Sequence, residues 1–268
     1  TQHAGGKHGD VETEWQYATI ISAYNAFKDA DAIGYGAMAN ASFYAHFPLK
    51  KKYPQPWVTH DQLRQRGYLT DDGQVNFAGR EFVILYVGDY DAASWVYQRT
   101  MDIWDDPARG QVPLMWCISP VLEQRAGPML DYMRQTATPN DYFAAADNGA
   151  GYLNPALLQE PRPISSLPSG LDAWANHCLP YYQRWDLSIT GFIIDGSGPA
   201  MNDQAFDCYA RFSPNGIVPQ KVPATLLHGN LPILRHDWDI NQEDPAQAAK
   251  TLVQRIQGRQ PLHFHWFR

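Results

Sequence analysis

Leu114-Met115-Trp116-Cys117-Ile118-Ser119-Pro120, followed downstream by Tyr142-Phe143-Ala144-Ala145-Ala146, decides how this chain folds. Both apolar runs are too continuous for strands with one wet face, so each reads as a parallel strand covered on two sides. Between them Leu122, Ala126, Met129, Leu130 and Met133 recur at helical spacing and mark one apolar stripe. Strand, helix and strand in that order make a β/α unit.

The unit recurs in both directions. Upstream, residues 11–27 have helical spacing with Asp10 as a plausible N-cap, residues 32–37 form a short strand running into Met38-Ala39-Asn40, and residues 82–87 form a longer one. Downstream come a helix at 171–184, a strand at 188–194 ending in Asp195-Gly196, and a helix at 204–211. A strand around Ile233-Leu234-Arg235, a helix at 245–256 and a strand at 262–266 complete the series. Repetition of this kind belongs to a parallel β/α barrel, seven-stranded or incomplete, or to a doubly wound sheet; the barrel is the expected fold. At 268 residues and 44% hydrophobic, the chain can bury a full core as a single domain over 1–268.

Charge and cysteine content exclude several classes. A net charge of −7, with Lys50-Lys51-Lys52 the one basic run, argues against nucleic acid as a partner. Cys117, Cys178 and Cys208 show neither zinc-knuckle nor disulfide-framework spacing. No run approaches the ~18 apolar residues of a membrane span. A G-x-S-x-G elbow, a P-loop and a strand-linked G-x-G-x-x-G are all missing from the sequence.

The strand at Tyr142 runs into Asp147-Asn148-Gly149-Ala150-Gly151-Tyr152-Leu153-Asn154-Pro155. Two glycines permit a sharp turn, Pro155 stops a helix, and four polar tips crowd a small volume, as a polar-ligand site requires. Gly149-Ala150-Gly151-Tyr152-Leu153-Asn154-Pro155 resembles the signature of the GxGYxYP putative glycoside hydrolase family, with Asn154 where the family has its second tyrosine. Three further stretches are similar to family segments, in family order. Gly88-Asp89-Tyr90-Asp91 keeps both acids of a Ser-Asp-Gly-Asp-Asn strand end; Trp116-Cys117-Ile118-Ser119-Pro120 matches a Trp-x-x-Ser-Pro segment; His263-Phe264-His265-Trp266 looks like a late His-x-Trp strand. The resemblance implies a carbohydrate-active hydrolase, secreted or in the cell envelope, with an N-terminal domain upstream and a short segment beyond Arg268.

In parallel α/β folds ligands bind at the C-terminal ends of the strands. Asn40, Asp89, Asp91, Ser119, Asp147, Asn148, Asp195, Arg235, His236, Asp237, His263 and His265 fall near such ends in this reading. Glycoside hydrolysis needs two carboxyl groups, ~5–5.5 Å apart for retention or ~6.5–9.5 Å for inversion. Asp89 and Asp91 are the leading pair, because residues two apart on extended chain point the same way; Asp147 and Asp195 are secondary. Tyr152 and Asn148 would orient the sugar, Trp95, Trp116, Trp238 and Trp266 would stack on it, and Asn40, Arg235 and His265 would add polar contacts. No cofactor is expected on this reading. As an alternative, Asp89, Asp91, His263 and His265 resemble the Asp/His sets of barrel-type polysaccharide deacetylases, with ligands suited to a divalent metal such as zinc. A non-catalytic carbohydrate-binding domain is the third reading, and in each the partner is an oligo- or polysaccharide.

Overall fold

The computed structural model describes residues 14–28, 40–88, 95–146, 148–240, 244–258 and 263–268. Helices α1 (Glu14–Ser22), α2 (Ala41–Tyr44) and α3 (His60–Gln65) precede the first strand, β1 (Phe82–Val87). A π-turn at Val96–Thr100 leads into α4 (Met101–Trp104), then β2 (Leu114–Ile118), α5 (Glu123–Thr136) and β3 (Asp141–Ala145). After the signature loop come α6 (Leu171–Trp185), β4 (Ile189–Ile193), α7 (Asp203–Ala210) and β5 (Gly216–Pro219). A small antiparallel hairpin, β6 (Leu227–His228) with β7 (Leu231–Pro232), precedes β8 (His236–Trp238), α8 (Pro245–Gln257) and β9 (Phe264–Phe267).

Seven of these strands form one sheet in the order β5-β4-β3-β2-β1-β9-β8, and each neighbouring pair is parallel. Ile217 of β5 also bridges in parallel to Ile233, three residues ahead of β8, and Leu234 N–H donates to Ile217 O at 2.8 Å. The two edges of the sheet therefore approach each other, and the seven strands form a nearly closed barrel with helices around it. The expected barrel is the observed fold.

Alternation along the strands separates two cores. Tyr86, Cys117, Ala144, Ala146, Phe192, Val218 and Trp266 cluster together inside the barrel. Trp116, Ile118, Phe143, Ala145, Ile193 and Ile217 point the other way, into a larger core shared with the helices. Strand β4 breaks the rule: its register shifts between Thr190 and Ile193, a bulge that turns both Gly191 and Phe192 inward. Thr190 faces the helices instead, where it meets Tyr182 Oη at 2.7 Å and Ser213 Oγ at 3.0 Å. Gly191 leaves room for the Tyr86 ring, since a Cβ there would lie 2.3 Å from Tyr86 Cε2.

Several expectations need correction. Strand β5 is missing from the sequence reading, and the strand placed around Ile233-Leu234-Arg235 lies later, at His236–Trp238. Helix α1 ends at Ser22, short of the expected 27; residues 10–13 and the strand at 32–37 lie outside the described residues. Cys117, Cys178 and Cys208 are buried. Among the described residues no helix is long and apolar enough to cross a membrane.

Candidate functional site

Because the seven strands are parallel, every residue that follows one lies at the same end of the barrel. That end receives Gly88 after β1, Ser119 after β2, Asn148 after β3, Asp195 after β4, Gln220 and Lys221 after β5, and Asp239 after β8. Asp89, Asp91 and Asp147, three of the four catalytic candidates, lie outside the described residues. The fourth, Asp195, is fully buried.

Asp195 is held by the turn it begins. Its Oδ1 accepts the Lys221 backbone N–H at 3.0 Å, its carbonyl accepts Gly198 N–H at 3.3 Å, and Gly196 N–H reaches Gln220 Oε1 at 2.8 Å. The second carboxyl oxygen, Oδ2, is buried without a hydrogen-bond partner. Burial pushes the Asp195 carboxyl above its usual range, and the Lys221 N–H only partly offsets this. A carboxyl group whose pKa is raised by burial, with one oxygen free, suits a proton donor.

Asn148 ties β3 to β4 next to this acid. It adopts φ 65°, a left-handed conformation that Asn tolerates better than most residues. Its backbone N–H donates to Phe192 O at 2.9 Å, its Oδ1 accepts Ile194 N–H at 2.7 Å, and its carbonyl accepts Tyr209 Oη at 2.7 Å. Asn148 Nδ2 has no partner, and neither has Nδ2 of buried Asn154. The Asn154 amide abuts the Asp195 turn: a Cβ on Gly198 would lie 2.5 Å from Asn154 Nδ2. Two amide donors and one carboxyl oxygen, all buried and unused, thus surround residues 194–198. Buried polar atoms are nearly always satisfied, so three exceptions in one place make this the candidate ligand site.

The signature loop folds as its glycines dictate. Gly149 and Gly151 have φ of 128° and 136°, and a Cβ on Gly151 would lie 2.5 Å from Phe27 Cδ2. Asn154 caps the 3-10 turn Pro155–Leu157 by accepting Ala156 N–H at 3.1 Å. Tyr152 exchanges backbone hydrogen bonds with Lys28, at 2.7 and 2.8 Å, and its side chain is half-buried.

Other candidates lie elsewhere. Trp116 is buried on the outer face of β2, with Nε1 donating to Asp141 Oδ1 at 2.8 Å and its ring edge-on to Trp104; it packs the core and cannot stack on a sugar. Arg235 is exposed and lies just ahead of β8 rather than after it. Trp238 lies under the Arg255 guanidinium from α8, 4.6 Å from its ring centre. Asn40 is exposed with φ 60° at the start of α2, and half-buried Trp95 begins the π-turn. Trp266 does face the barrel interior, tilted on Tyr86 at 5.2 Å, with its buried Nε1 unpartnered.

His263 and His265 are at the opposite end. His265 is in register with Val83, near the start of β1, and Glu81 just ahead of that strand receives both imidazoles, His263 Nδ1 at 3.2 Å and His265 Nε2 at 3.0 Å. Five residues of extended chain, roughly 16 Å, separate Val83 from Gly88, so the histidines do not join the end that carries Asp195. His265 is therefore placed near the start of β1 rather than beside Asn148 and Asp195, and Asp89 and Asp91, the other members of the alternative metal set, lie outside the described residues. Among the described residues no group of three or more His, Cys, Asp and Glu side chains is arranged to hold a metal ion.

Sequence reasoning placed His236 near a strand end without giving it a role, and passed over Asp239. His236 Nε2 lies 3.1 Å from Asp239 Oδ1 without hydrogen-bond alignment, and burial holds the imidazole below its usual range. Asp239 also accepts Arg268 Nε at 2.6 Å, and the Arg268 guanidinium covers the Phe192 ring. Reading the strand as ending at Arg235 rather than Trp238 hid this pair.

Residues 79–263 match the family described as "GxGYxYP putative glycoside hydrolase C-terminal domain". The chain belongs to the GxGYxYP family. Among solved structures it is similar to the crystal structure of a putative hydrolase from Bacteroides thetaiotaomicron VPI-5482, with a TM-score of 0.58 and 17% identity. That likeness covers 87% of this chain and 44% of the other, so this GxGYxYP chain spans less than half the length of the protein it matches, and the shared property is the fold. No curated protein matches it.

Proposed function

We propose that this GxGYxYP domain cleaves glycosidic bonds, with Asp195 protonating the leaving oxygen. The observation that carries the reading is the buried Asp195 carboxyl with an unpartnered oxygen and an elevated pKa, at the strand end where parallel barrels bind ligands. Asn148 and Asn154 supply amide donors for sugar hydroxyls beside it. A second carboxylate is required as nucleophile or base. Asp147, one residue before Asn148, is the first candidate; Asp89 and Asp91, after β1, are the others. The scheme uses only carboxyl groups, and the His263–His265 pair with Glu81 serves the far end of the barrel instead. The 268 residues act as one α/β unit in this reading, with an oligo- or polysaccharide as substrate.

The test is turnover of the full chain and its Asp195→Asn form on a broad panel of oligosaccharides and aryl glycosides. Expected is reducing-end release on at least one substrate and a loss of about a hundredfold or more in the variant, the usual scale for a positioned acid. Undiminished turnover in Asp195→Asn would remove Asp195 from the chemistry, and saturable binding without product release would make the domain a carbohydrate-binding module.

A further inference from the structure

Helix α1 and the turn behind it touch both loops of the candidate site, although they lie outside the family match, which begins at residue 79. Thr19 Oγ1 is 2.6 Å from Ser197 Oγ, in the turn that Asp195 begins. Ser22 Oγ donates to Ala18 O at 2.5 Å and accepts the Asn154 backbone N–H at 2.8 Å. Lys28 pairs with Tyr152, and the Phe27 ring fills the space above Gly151.

Most of a helix's stability in a protein comes from tertiary contacts, so something must hold the C-terminal end of α1 in place. Arg162 does so from the loop beyond the signature turn. Its side chain is buried, and its guanidinium donates to the carbonyls of Ser22 (3.3 Å) and Ala23 (2.6 Å), to Asn25 Oδ1 (2.6 Å) and to Pro168 O (2.5 Å). The Ser22 and Ala23 carbonyls lie at and just past the C-terminal end of α1, where the helix dipole is negative. Lysine could supply the charge but not the fork that reaches several oxygens at once.

We propose that Arg162 is a positioning residue of the glycosidase site: by capping α1 it seats Thr19 and Ser22 against the loops that carry Asp195 and Asn154. The proposal rests on the hydrolase reading for its purpose, though not for its geometry. Since Gly198 N–H bonds back to Asp195 O, loosening the Thr19 to Ser197 contact frees the turn that keeps the carboxyl dry.

Amide hydrogen exchange by mass spectrometry on the full chain tests it, with Arg162→Gln, Arg162→Lys and Thr19→Val. In Arg162→Gln exchange should rise about tenfold or more at 150–154 and 195–198, with β2 and β3 unchanged, and the Asp195 carboxyl, followed by its 13C shift, should titrate lower. Arg162→Lys should restore part of the protection. Thr19→Val, which removes one hydrogen bond and keeps the fold, should loosen 195–198 alone, and it carries the test if Arg162→Gln does not fold. Unchanged exchange in both loops, or a uniform rise that includes β2 and β3, overturns the proposal. Loosened loops in a chain that turns over no glycoside would sink the hydrolase reading and leave the positioning role standing.

Discussion

Asn148 Oδ1 accepts the Ile194 N–H at 2.7 Å, and that bond ties the loop after β3 to the loop after β4. The neighbouring bond from Asn148 N–H to Phe192 O extends the β3–β4 ladder past the end of β3. Asn148→Ala should therefore cost about 1–3 kcal/mol, because it strands a half-buried N–H and places a residue less tolerant than Asn at positive φ. Asn148→Gly keeps the conformation and loses only the side-chain bond, so its thermal or denaturant midpoint should fall between wild type and Ala. Equal midpoints for Gly and Ala would assign the whole cost to the hydrogen bond.

Asp195 gives a pH signature of known sign. Burial raises its folded pKa above the unfolded value, so its contribution to stability is present below the unfolded pKa and is lost as pH rises through the folded one. Asp195→Asn removes the buried charge while an amide oxygen can still accept the Lys221 N–H. The variant should thus gain melting temperature over wild type near pH 7, and the gain should shrink near pH 3.5, close to the unfolded carboxyl pKa. Turnover by the native chain should fall as pH rises past the folded pKa, since the donor must hold its proton. A melting difference independent of pH contradicts the buried-charge account.

Gly191 and Tyr86 fix how the barrel interior is filled. A Cβ at position 191 would sit 2.3 Å from Tyr86 Cε2 and 2.7 Å from Cζ, closer than carbon atoms approach. Gly191→Ala must push the ring toward Trp266, at a cost of about 1–3 kcal/mol for overpacking. The double variant Gly191→Ala with Tyr86→Leu should recover part of that loss, and a thermodynamic cycle on the two changes reads the coupling directly. Additivity would place the strain somewhere other than the Tyr86 ring.

The barrel was legible because continuous apolar runs and 3.6-period stripes alternate along the chain, and the strands at 82–87 and 114–118 are found where their composition puts them. Strand β5 was not, because Gly216-Ile217-Val218-Pro219 is four residues long and bounded by Gly and Pro, which read as a turn. The polar end of the barrel was partly legible. Asp195 follows a strong strand, but nothing local shows that its Oδ2 is left unpaired or that Asn154 faces its turn, since those depend on loops brought together by the β3–β4 pairing. Trp116 was misplaced because strand alternation gives two faces without saying which is inside, and His265 because it sits level with Val83, near the start of β1, rather than at a strand's C-terminal end.

The two histidines at the other mouth yield the last prediction. Glu81 receives His263 and His265 on separate carboxyl oxygens, and Phe77 stacks on His263 at 5.0 Å, so the trio closes the N-terminal end where β1 and β9 begin. A role of that kind is structural, and the register with Val83 keeps it a strand's length from Asp195. His265→Ala should then lower stability by about 1–3 kcal/mol through the lost charge-assisted bond, with kcat changed less than threefold or so in the folded fraction. Prior treatment with a chelator should leave turnover as it was. Stoichiometric zinc that leaves together with activity, both in chelator and in His265→Ala, would show instead that this mouth is the reactive one and that the chain is a metal-dependent hydrolase.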